Sequence, residues 1–432
     1  MKKPIQLKEF QKLEPEKFKQ FSNKQRFLNQ IEFFNKKQGK QIIEVRRNGI
    51  KATSHVGIFS VGRETIQILP KISKDSAEDY SVKNLLHMLS YTRNIEITEA
   101  GLSRLCERKK SEFFEIIIYL FASNLLELLK KNFRKSYVDT EENSHFIKGR
   151  ILFQENLKAN MFRKDKIYCN FSDFSQDILL NQIFKYTSKL LTSITTDSEN
   201  YRILREIDFI LSEIEFKRIK LSDFKNLYLD RLNHGYKPIV DLAKLFISNS
   251  TVELSCNKLE SFSFLFDMNL LFEQFIAGFI ARNKNKLLSK KFEIKYQDKS
   301  KYLVDYPKSL FMLKPDLIIY SKETKLIIDT KYKILNPEEK KLGIAQSDLY
   351  QMVAYSLKHD CDRIVLLYPK HLIDKAPEKP YEIHHDGKKI KIFIRVVDLN
   401  IDMQTEKQKI LDQLNLVFSC INYNKPKNEK NQ

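Results

Sequence analysis

Hydrophobic and polar positions change their spacing along the chain. Over residues 1–40 apolar side chains are sparse among dense charges, a pattern that predicts a basic helical arm. The period then shortens to two. Residues 56–59 and 65–69 read as strands joined across Val61-Gly62-Arg63, with Pro70 ending the second. From about Ala77 a helical period takes over. Residues 82–91, 113–133, 177–191 and 201–214 read as helices, 227–232 as a shorter one, and 238–247 as another with proline in its first turn. The segment 113–133 is apolar nearly all round, which predicts the centre of a helical core. Between these helices lies a basic, aromatic stretch, GRILFQENLKANMFRKDKIYCNFSDFSQD, centred on Arg150 and Arg163.

Another change comes near Ser261. Residues 264–282 read as a helix with Phe266, Leu270, Phe275 and Phe279 inward. Strands are expected at 292–296, 312–320 and 325–332, a helix at 344–357 and an apolar strand at 363–367. Residues 381–385 and 389–397 should form a hairpin across Asp386-Gly387, and 405–421 a closing helix. The order helix, antiparallel strands, helix, strand describes an α/β layer on a mixed sheet. The whole reads as an α+β multidomain chain. Residues 1–75 would be the arm plus a β-rich N-terminal domain, 76–255 a mainly helical domain, 256–425 an α/β domain and 426–432 a disordered tail.

Composition adds one strong constraint. The 75 Lys+Arg against 55 Asp+Glu give a formal net charge of +20, which favours a polyanionic partner, nucleic acid above all. Cys106, Cys169, Cys256, Cys361 and Cys420 are dispersed, against a zinc ribbon or a clustered iron–sulfur site and for free thiols in a reducing compartment. The N-terminal MKKPIQLKEFQKLEPEKF lacks the apolar core of a signal peptide. The most apolar run, residues 116–129, is interrupted by Ser123, Asn124 and Glu127, whereas a span needs about 20 apolar residues. The expectation is a cytoplasmic protein with no membrane association. No G-x-x-x-x-G-K-[S/T] loop is present, so any nucleotide-driven motor must come from another chain.

Candidate chemistry concentrates in residues 313–333, LKPDLIIYSKETKLIIDTKYK. If Ser321–Thr324 turn, Tyr320 faces Lys325, Ile318 faces Ile327 and Asp316 faces Asp329, with opposed Cβ atoms about 5 Å apart. Side chains alternate with period two, so Asp329 and Lys331 share a face. Other Asp-x-Lys triplets, Asp223–Lys225 and Asp386–Lys388, lie in polar turns and read as solvated charges, as does the His384-His385 hairpin tip. Only Asp329-Thr-Lys331 ends an apolar strand and meets an opposed acid. It is followed by a helix with Gln351 and Tyr355 at i, i+4, and preceded by one that supplies Glu273. Asp316 and Asp329 are candidate ligands for a hard divalent cation, Mg²⁺ or Mn²⁺, with Glu273 as an outer or second-metal ligand. Lys331 would orient a water or stabilise developing charge, and Gln351 and Tyr355 would position phosphate or water.

Pro315-Asp316 with Asp329-x-Lys331 resembles the signature of the PD-(D/E)xK nuclease superfamily, and Gln351-x-x-x-Tyr355 resembles the helix motif of its RecB-like members. Much of the chain is similar to the McrC family. The resemblance is carried by Gly62-Arg-Glu-Thr-Ile-Gln-Ile-Leu-Pro-Lys71, Leu85-Leu-His-Met-Leu-Ser-Tyr91, Gly149-Arg-Ile-Leu-Phe-Gln154, residues 171–181, Phe266-Asp-Met-Asn-Leu-Leu-Phe-Glu273 and Asp329-Thr-Lys-Tyr332. It implies a C-terminal PD-(D/E)xK endonuclease domain acting on double-stranded DNA. It also implies an McrB-like AAA+ GTPase hexamer as partner, docked on the helical region and reading modified bases such as 5-methylcytosine in antiviral defence. Pairing of two nuclease domains is left open. Two alternatives stand beside this reading: a non-catalytic adaptor that activates the motor, and a self-standing RecB-like nuclease.

Overall fold

The computed structural model describes residues 4–47, 49–62, 64–71, 78–92, 113–231, 234–249, 253–255, 258–339, 341–370, 376–385 and 387–422. The chain divides into two compact units that interleave in sequence. One comprises residues 1–3, 59–63 and 110–264, the other 4–58, 64–109 and 265–432. This partition does not follow the consecutive segments expected from the sequence, because most of the N-terminal portion belongs to the same unit as the C-terminal α/β portion.

In the first unit the helices Phe113–Lys131, Leu179–Ile194, Ser198–Ile210 and Lys237–Asn249 pack on one another. Phe121 and Phe246 meet edge to face at 5.9 Å, an arrangement the ring quadrupoles favour. Two buried polar groups close helix ends. The Glu115 carboxylate accepts from Thr195 Oγ1, Thr196 N and Asn200 Nδ2. Lys185 donates to the carbonyls of Leu211, Ser212 and Ile214, where residues past Ser198–Ile210 leave acceptors without intrahelical donors. The stretch read only as basic and aromatic supplies two strands, Arg150–Ile151 and Ile167–Ser175, of a three-stranded antiparallel sheet completed by Ser136–Ser144 ahead of it, with Ile167–Ser175 in the middle. Its strands carry little apolar alternation because much of both faces meets solvent. The short helix expected at 227–232 does not form over its described residues.

The second unit is built on a mixed six-stranded sheet, numbered here β1 (Glu293–Tyr296), β2 (Leu317–Tyr320), β3 (Lys325–Thr330), β4 (Arg363–Lys370), β5 (Tyr381–His385) and β6 (Lys388–Asp398), in the order β1-β2-β3-β4-β6-β5. The β3–β4 and β4–β6 pairs are parallel and the others antiparallel. Its helices are α1 (Met268–Arg282), α2 (Gln346–His359) and α3 (Lys407–Ser419). Ile318, Ile327, Met352, Tyr355, Ile364, Leu366 and Ile392 belong to one core between sheet and helix.

Several expected boundaries move, each for a local reason. The strand expected over 312–320 is cut at Pro315, which has no N–H for a ladder. Leu310–Leu313 pairs instead with Lys301–Val304 in a separate ribbon, and only Leu317–Tyr320 joins the main sheet. The helix expected from 264 begins at Met268, because Lys258–Asp267 is a strand and the Asp267 side chain caps Asn269 N at 3.0 Å. In consequence Leu270 is exposed, and Phe272, Ile276 and Ile280 join Phe275 and Phe279 in the core. The first forty residues are not wholly helical. Ile5–Lys8 is a strand paired in parallel with Glu64–Leu69, ahead of the helices Pro15–Lys19 and Lys24–Gln38. Arg63, Asp386, Cys106, Cys256 and the tail 424–432 lie outside the described residues.

Gly278 shows how closely α1 meets the helix Glu78–Tyr91. A Cβ built on it would lie 2.2 Å from the Tyr91 carbonyl oxygen. Helix propensity alone makes Gly278→Ala favourable by about 1 kcal/mol, whereas forcing backbones apart in a filled core costs about 1–3 kcal/mol. The second effect wins here. Gly278→Ala is expected to lower the urea midpoint of unfolding, with an unchanged m-value.

Candidate active site

The β2–β3 register is the one the turn at Ser321–Thr324 dictates: Tyr320 pairs with Lys325, Ile318 with Ile327 and Leu317 with Ile328. Asp316 stands one residue before β2 and Asp329 is the penultimate residue of β3. Asp316 Oδ2 accepts from both Thr330 N (2.7 Å) and Thr330 Oγ1 (2.6 Å), so the end of β3 holds this acid in place. Asp329 is 2% exposed, and its Oδ2 lies 2.7 Å from Lys331 Nζ. The backbone N–H of Lys331 donates to Leu367 O, continuing the β3–β4 ladder past the strand end.

Lys331 is also held from the helix side. Its Nζ donates to Gln351 Oε1 at 2.8 Å, and Gln351 Nε2 donates to the Tyr355 hydroxyl at 2.8 Å. Gln351 and Tyr355 are one turn apart on α2, which makes a relay of this kind geometrically natural. Tyr355 is buried and also part of the core, so it anchors the chain Asp329–Lys331–Gln351–Tyr355. Leu349 and Val353 are only partly buried; the fully buried line of α2 is Asp348, Met352, Tyr355, Ser356 and His359.

The electrostatics follow from burial. Asp316 is pushed up to about 7, first by burial and then by the charges of Asp329 and Glu273. Burial likewise raises Asp329, while Lys331 opposes that rise. Burial acts against the charge on Lys331, yet attraction to Asp329, Asp348 and Asp316 outweighs it, and the ammonium is held above the ordinary lysine value. Tyr355 is raised by burial and by both aspartates, which keeps its hydroxyl neutral.

Glu273 lies on α1, where Gln297 Nε2 donates to its Oε1, and Gln297 N donates to Asp316 O. Glu273 and Asp316 border a cavity of about 320 Å³ also lined by Tyr91, Gly278, Arg282 and Tyr296. Among the described residues no group of three or more His, Cys, Asp or Glu side chains is gathered for a metal ion. Asp316, Asp329 and Glu273 therefore feel one another's charge without forming an assembled three-ligand cage. The donor set is nonetheless two hard, mutually repelling carboxylates, which suits a cation that retains several waters.

Sequence reasoning misses some participants. Thr330 holds Asp316, Gln297 holds Glu273, and Lys333 Nζ contacts both oxygens of Asp348 at 3.0 and 2.7 Å. The last pair is legible in principle: Lys333 is two residues beyond Lys331, and Asp348 is three before Gln351 on the same helix. His384 is exposed on β5, and nothing gathers ligands around it among the described residues.

A mixed sheet ending in a buried acid–lysine cluster, fed by a proline-broken strand, gives an α+β chain with a candidate centre of polar chemistry among the described residues. The sequence profile of the McrBC 5-methylcytosine restriction system component family matches residues 50–369, a span containing all of these site residues, and the chain belongs to that family. Two solved structures share the fold. A chain of the refined half-complex from the tetradecameric assembly of Thermococcus gammatolerans McrB AAA+ hexamers with bound McrC aligns over 96% of this chain and all of its own length, with TM-score 0.69 and 23% identity. A chain of the Thermococcus gammatolerans McrBC complex aligns over 65% of this chain and 88% of its own length, with TM-score 0.51 and 23% identity. No curated protein matches the sequence.

The raised Asp316 value yields a stability prediction. Its folded value of about 7 lies above the ordinary aspartate value of 3.8, so the folded chain keeps a proton that the unfolded chain releases between them. Stability must then fall as pH rises through that window. Asp316→Asn, which can still accept from Thr330, should stabilise metal-free protein above pH 7 by on the order of a few kcal/mol, and should gain little below about pH 4. Urea unfolding in chelator across pH checks the sign; a gain confined to acid pH would contradict it.

Proposed function

We propose that this chain is the McrC-like subunit of its restriction system: an Mg²⁺-dependent endonuclease of the PD-(D/E)xK type that cuts double-stranded DNA. The observation that carries this reading is the placement of Lys331 between the buried Asp329 and the Gln351–Tyr355 relay, with Asp316 held at the adjoining strand end. An ammonium fixed at both ends loses little freedom on meeting a phosphate, and its raised pKa keeps it cationic where negative charge develops. Asp316 and Asp329 would hold the metal, with Glu273 behind them. When bound, the ion supplies Lewis-acid polarisation and a water of lowered pKa. Lys331 would orient that water and stabilise the phosphorane-like charge, Gln351 would keep Lys331 aimed, and Thr330 would keep Asp316 from turning away.

The net charge of +20 suits a polyanionic substrate, and the sequence carries no phosphate-loop motif that would itself drive a motor. An AAA+ GTPase hexamer is the partner this reading requires, and the family assignment supports it. One observation favours a docking role alongside cutting. In the first unit the loop after Ser136–Ser144, the helix Phe153–Asn160 and the turn that follows it expose Phe146, Phe153, Leu157, Met161 and Phe162, the last at 96%, in a stretch of sequence that also holds Lys148, Arg150 and Arg163. Large apolar side chains this exposed mark an interaction surface. In the adaptor reading that surface would be the functional part and the acid–lysine site inert. In either reading no helix among the described residues is long and apolar enough to cross a membrane.

Cleavage assays on the reconstituted complex separate these readings. Asp329→Ala and Lys331→Ala should each lower the cleavage rate at least about 10²- to 10⁴-fold, with assembly and partner GTP hydrolysis unchanged. Chelation should stop cutting by the wild-type complex, and Mg²⁺ or Mn²⁺ should restore it. Wild-type rates from either variant would refute the site.

A further inference from the structure

The sequence motif ending Ile68-Leu69-Pro70-Lys71 has no part in the chemistry above, yet it reaches the site. The strand Ile5–Lys8 runs parallel to Glu64–Leu69, and Glu9 N donates to Leu69 O at 3.0 Å. Glu9 and Lys71 therefore leave the paired strands side by side. The Glu9 side chain turns inward and is 4% exposed. Its Oε2 accepts from Lys71 N at 2.9 Å and from the Tyr332 hydroxyl at 3.0 Å. Lys71 Nζ in turn donates to Tyr332 O at 3.3 Å and lies 4.7 Å above the Tyr332 ring and 4.5 Å above that of Phe10.

Tyr332 is the residue after Lys331. Lys333 N donates to Lys331 O at 2.9 Å, a three-residue turn with Tyr332 at its apex. Across that turn the flanking side chains reach α2, Lys331 to Gln351 and Lys333 to Asp348, while Tyr332 goes to Glu9 and Lys71. Its ring also lies 5.9 Å from Phe272, the neighbour of Glu273. Fixing the tyrosine fixes the turn, and the turn sets the backbone that carries Lys331.

We propose that Glu9 and Lys71 are positioning residues for Lys331, clamping Tyr332 from the N-terminal segment so that the cutting unit is complete only with that segment in place. This rests on the nuclease reading for Lys331. Core filling explains the arrangement poorly. A buried glutamate with one oxygen, Oε1, lacking a hydrogen-bond partner among the described residues destabilises relative to an apolar side chain of the same size. Burial also raises Glu9 to about 7, so glutamine at this position mimics a form the carboxyl already adopts near neutrality.

The test uses the full chain, alone and assembled with its AAA+ partner, with Glu9→Ala, Glu9→Gln and Lys71→Met. Glu9→Ala and Lys71→Met should lower kcat for DNA cleavage about ten- to a hundredfold, with KM and partner GTP hydrolysis unchanged. Glu9→Gln, which still accepts both hydrogen bonds, should spare most of the rate. Hydrogen–deuterium exchange on the chain alone should quicken at residues 330–334 in the first two variants and not in the third. The clamp is overturned if Glu9→Ala and Lys71→Met cut at the wild-type rate with unchanged exchange. It is equally overturned if cleavage and GTPase stimulation fall together and glutamine rescues neither. Faster local exchange in a chain whose wild type cuts no DNA would keep the clamp and remove the nuclease reading instead.

Discussion

A carboxylate buried as deeply as Asp329 must either take up a proton or find a cation, and the end of β3 is arranged around that requirement. Lys331 meets it directly at 2.7 Å. A lone lysine two residues along a strand end would have many rotamers, so the pairing depends on something holding the ammonium. Gln351 does so from α2, and Tyr355 holds Gln351 from within the core. The order of cause runs from the apolar sheet, which buries Asp329, through the ion pair this forces, to the helix that must pack where it can supply Gln351. Asp316 is the less compensated partner. Two hydrogen bonds from Thr330 offset only part of its burial, and its pKa stays near 7.

Much of this centre is legible in the amino-acid sequence. Apolar runs of equal character around a four-residue polar turn leave one sensible antiparallel register, and that register holds from Tyr320–Lys325 to Leu317–Ile328. The i, i+4 spacing of Gln351 and Tyr355 is equally readable, because helical periodicity survives without tertiary context. Contacts made by distant backbone are not. Gln297 and Thr330 contribute through local geometry with no type-specific pattern in sequence. Periodicity turns Leu270 inward because it counts Phe266 as its helical neighbour one turn earlier, whereas Phe266 belongs to the strand Lys258–Asp267 and sets no helical face. The ribbon Lys301–Val304 with Leu310–Leu313 leaves no clear pattern because its exposed positions carry leucine, phenylalanine and methionine, which blur the alternation a half-buried strand should show.

The domain pattern illustrates a different limit. Composition changes along the chain suggest consecutive domains, but compactness is decided by which segments bury surface against each other. Residues 4–58 and 64–109 fall in one unit with 265–432. Within it Asn84 donates to the carbonyls of Leu399 and Ile401, Arg282 donates to Ser90 O, and Gly278 admits the Tyr91 carbonyl. Each contact joins residues about two to three hundred positions apart, a separation that carries no periodic signal. The sequence places a boundary where the spacing changes; the fold places it where contacts thin.

That arrangement bears on why the site tolerates its own cost. Asp316, Asp329 and Glu273 raise one another's charging energy, and a chain selected for stability alone would replace at least one of them with an apolar or amide side chain. Natural sequences keep such local conflicts where function needs them, and the rest of the structure must then hold the strained groups in place. Here the holding elements come from every side: Thr330 and the β4 backbone along the sheet, Gln351 and Tyr355 from α2, and Glu9 with Lys71 from the far N-terminal segment. A hairpin on the surface carrying the same Asp-x-Lys triplet would relax by rotating its side chains into water. Convergent support from remote elements around an unfavourable acid pair is what separates a held cluster from a solvated ion pair, and it is the physical ground on which Asp316, Asp329 and Lys331 are proposed as the site.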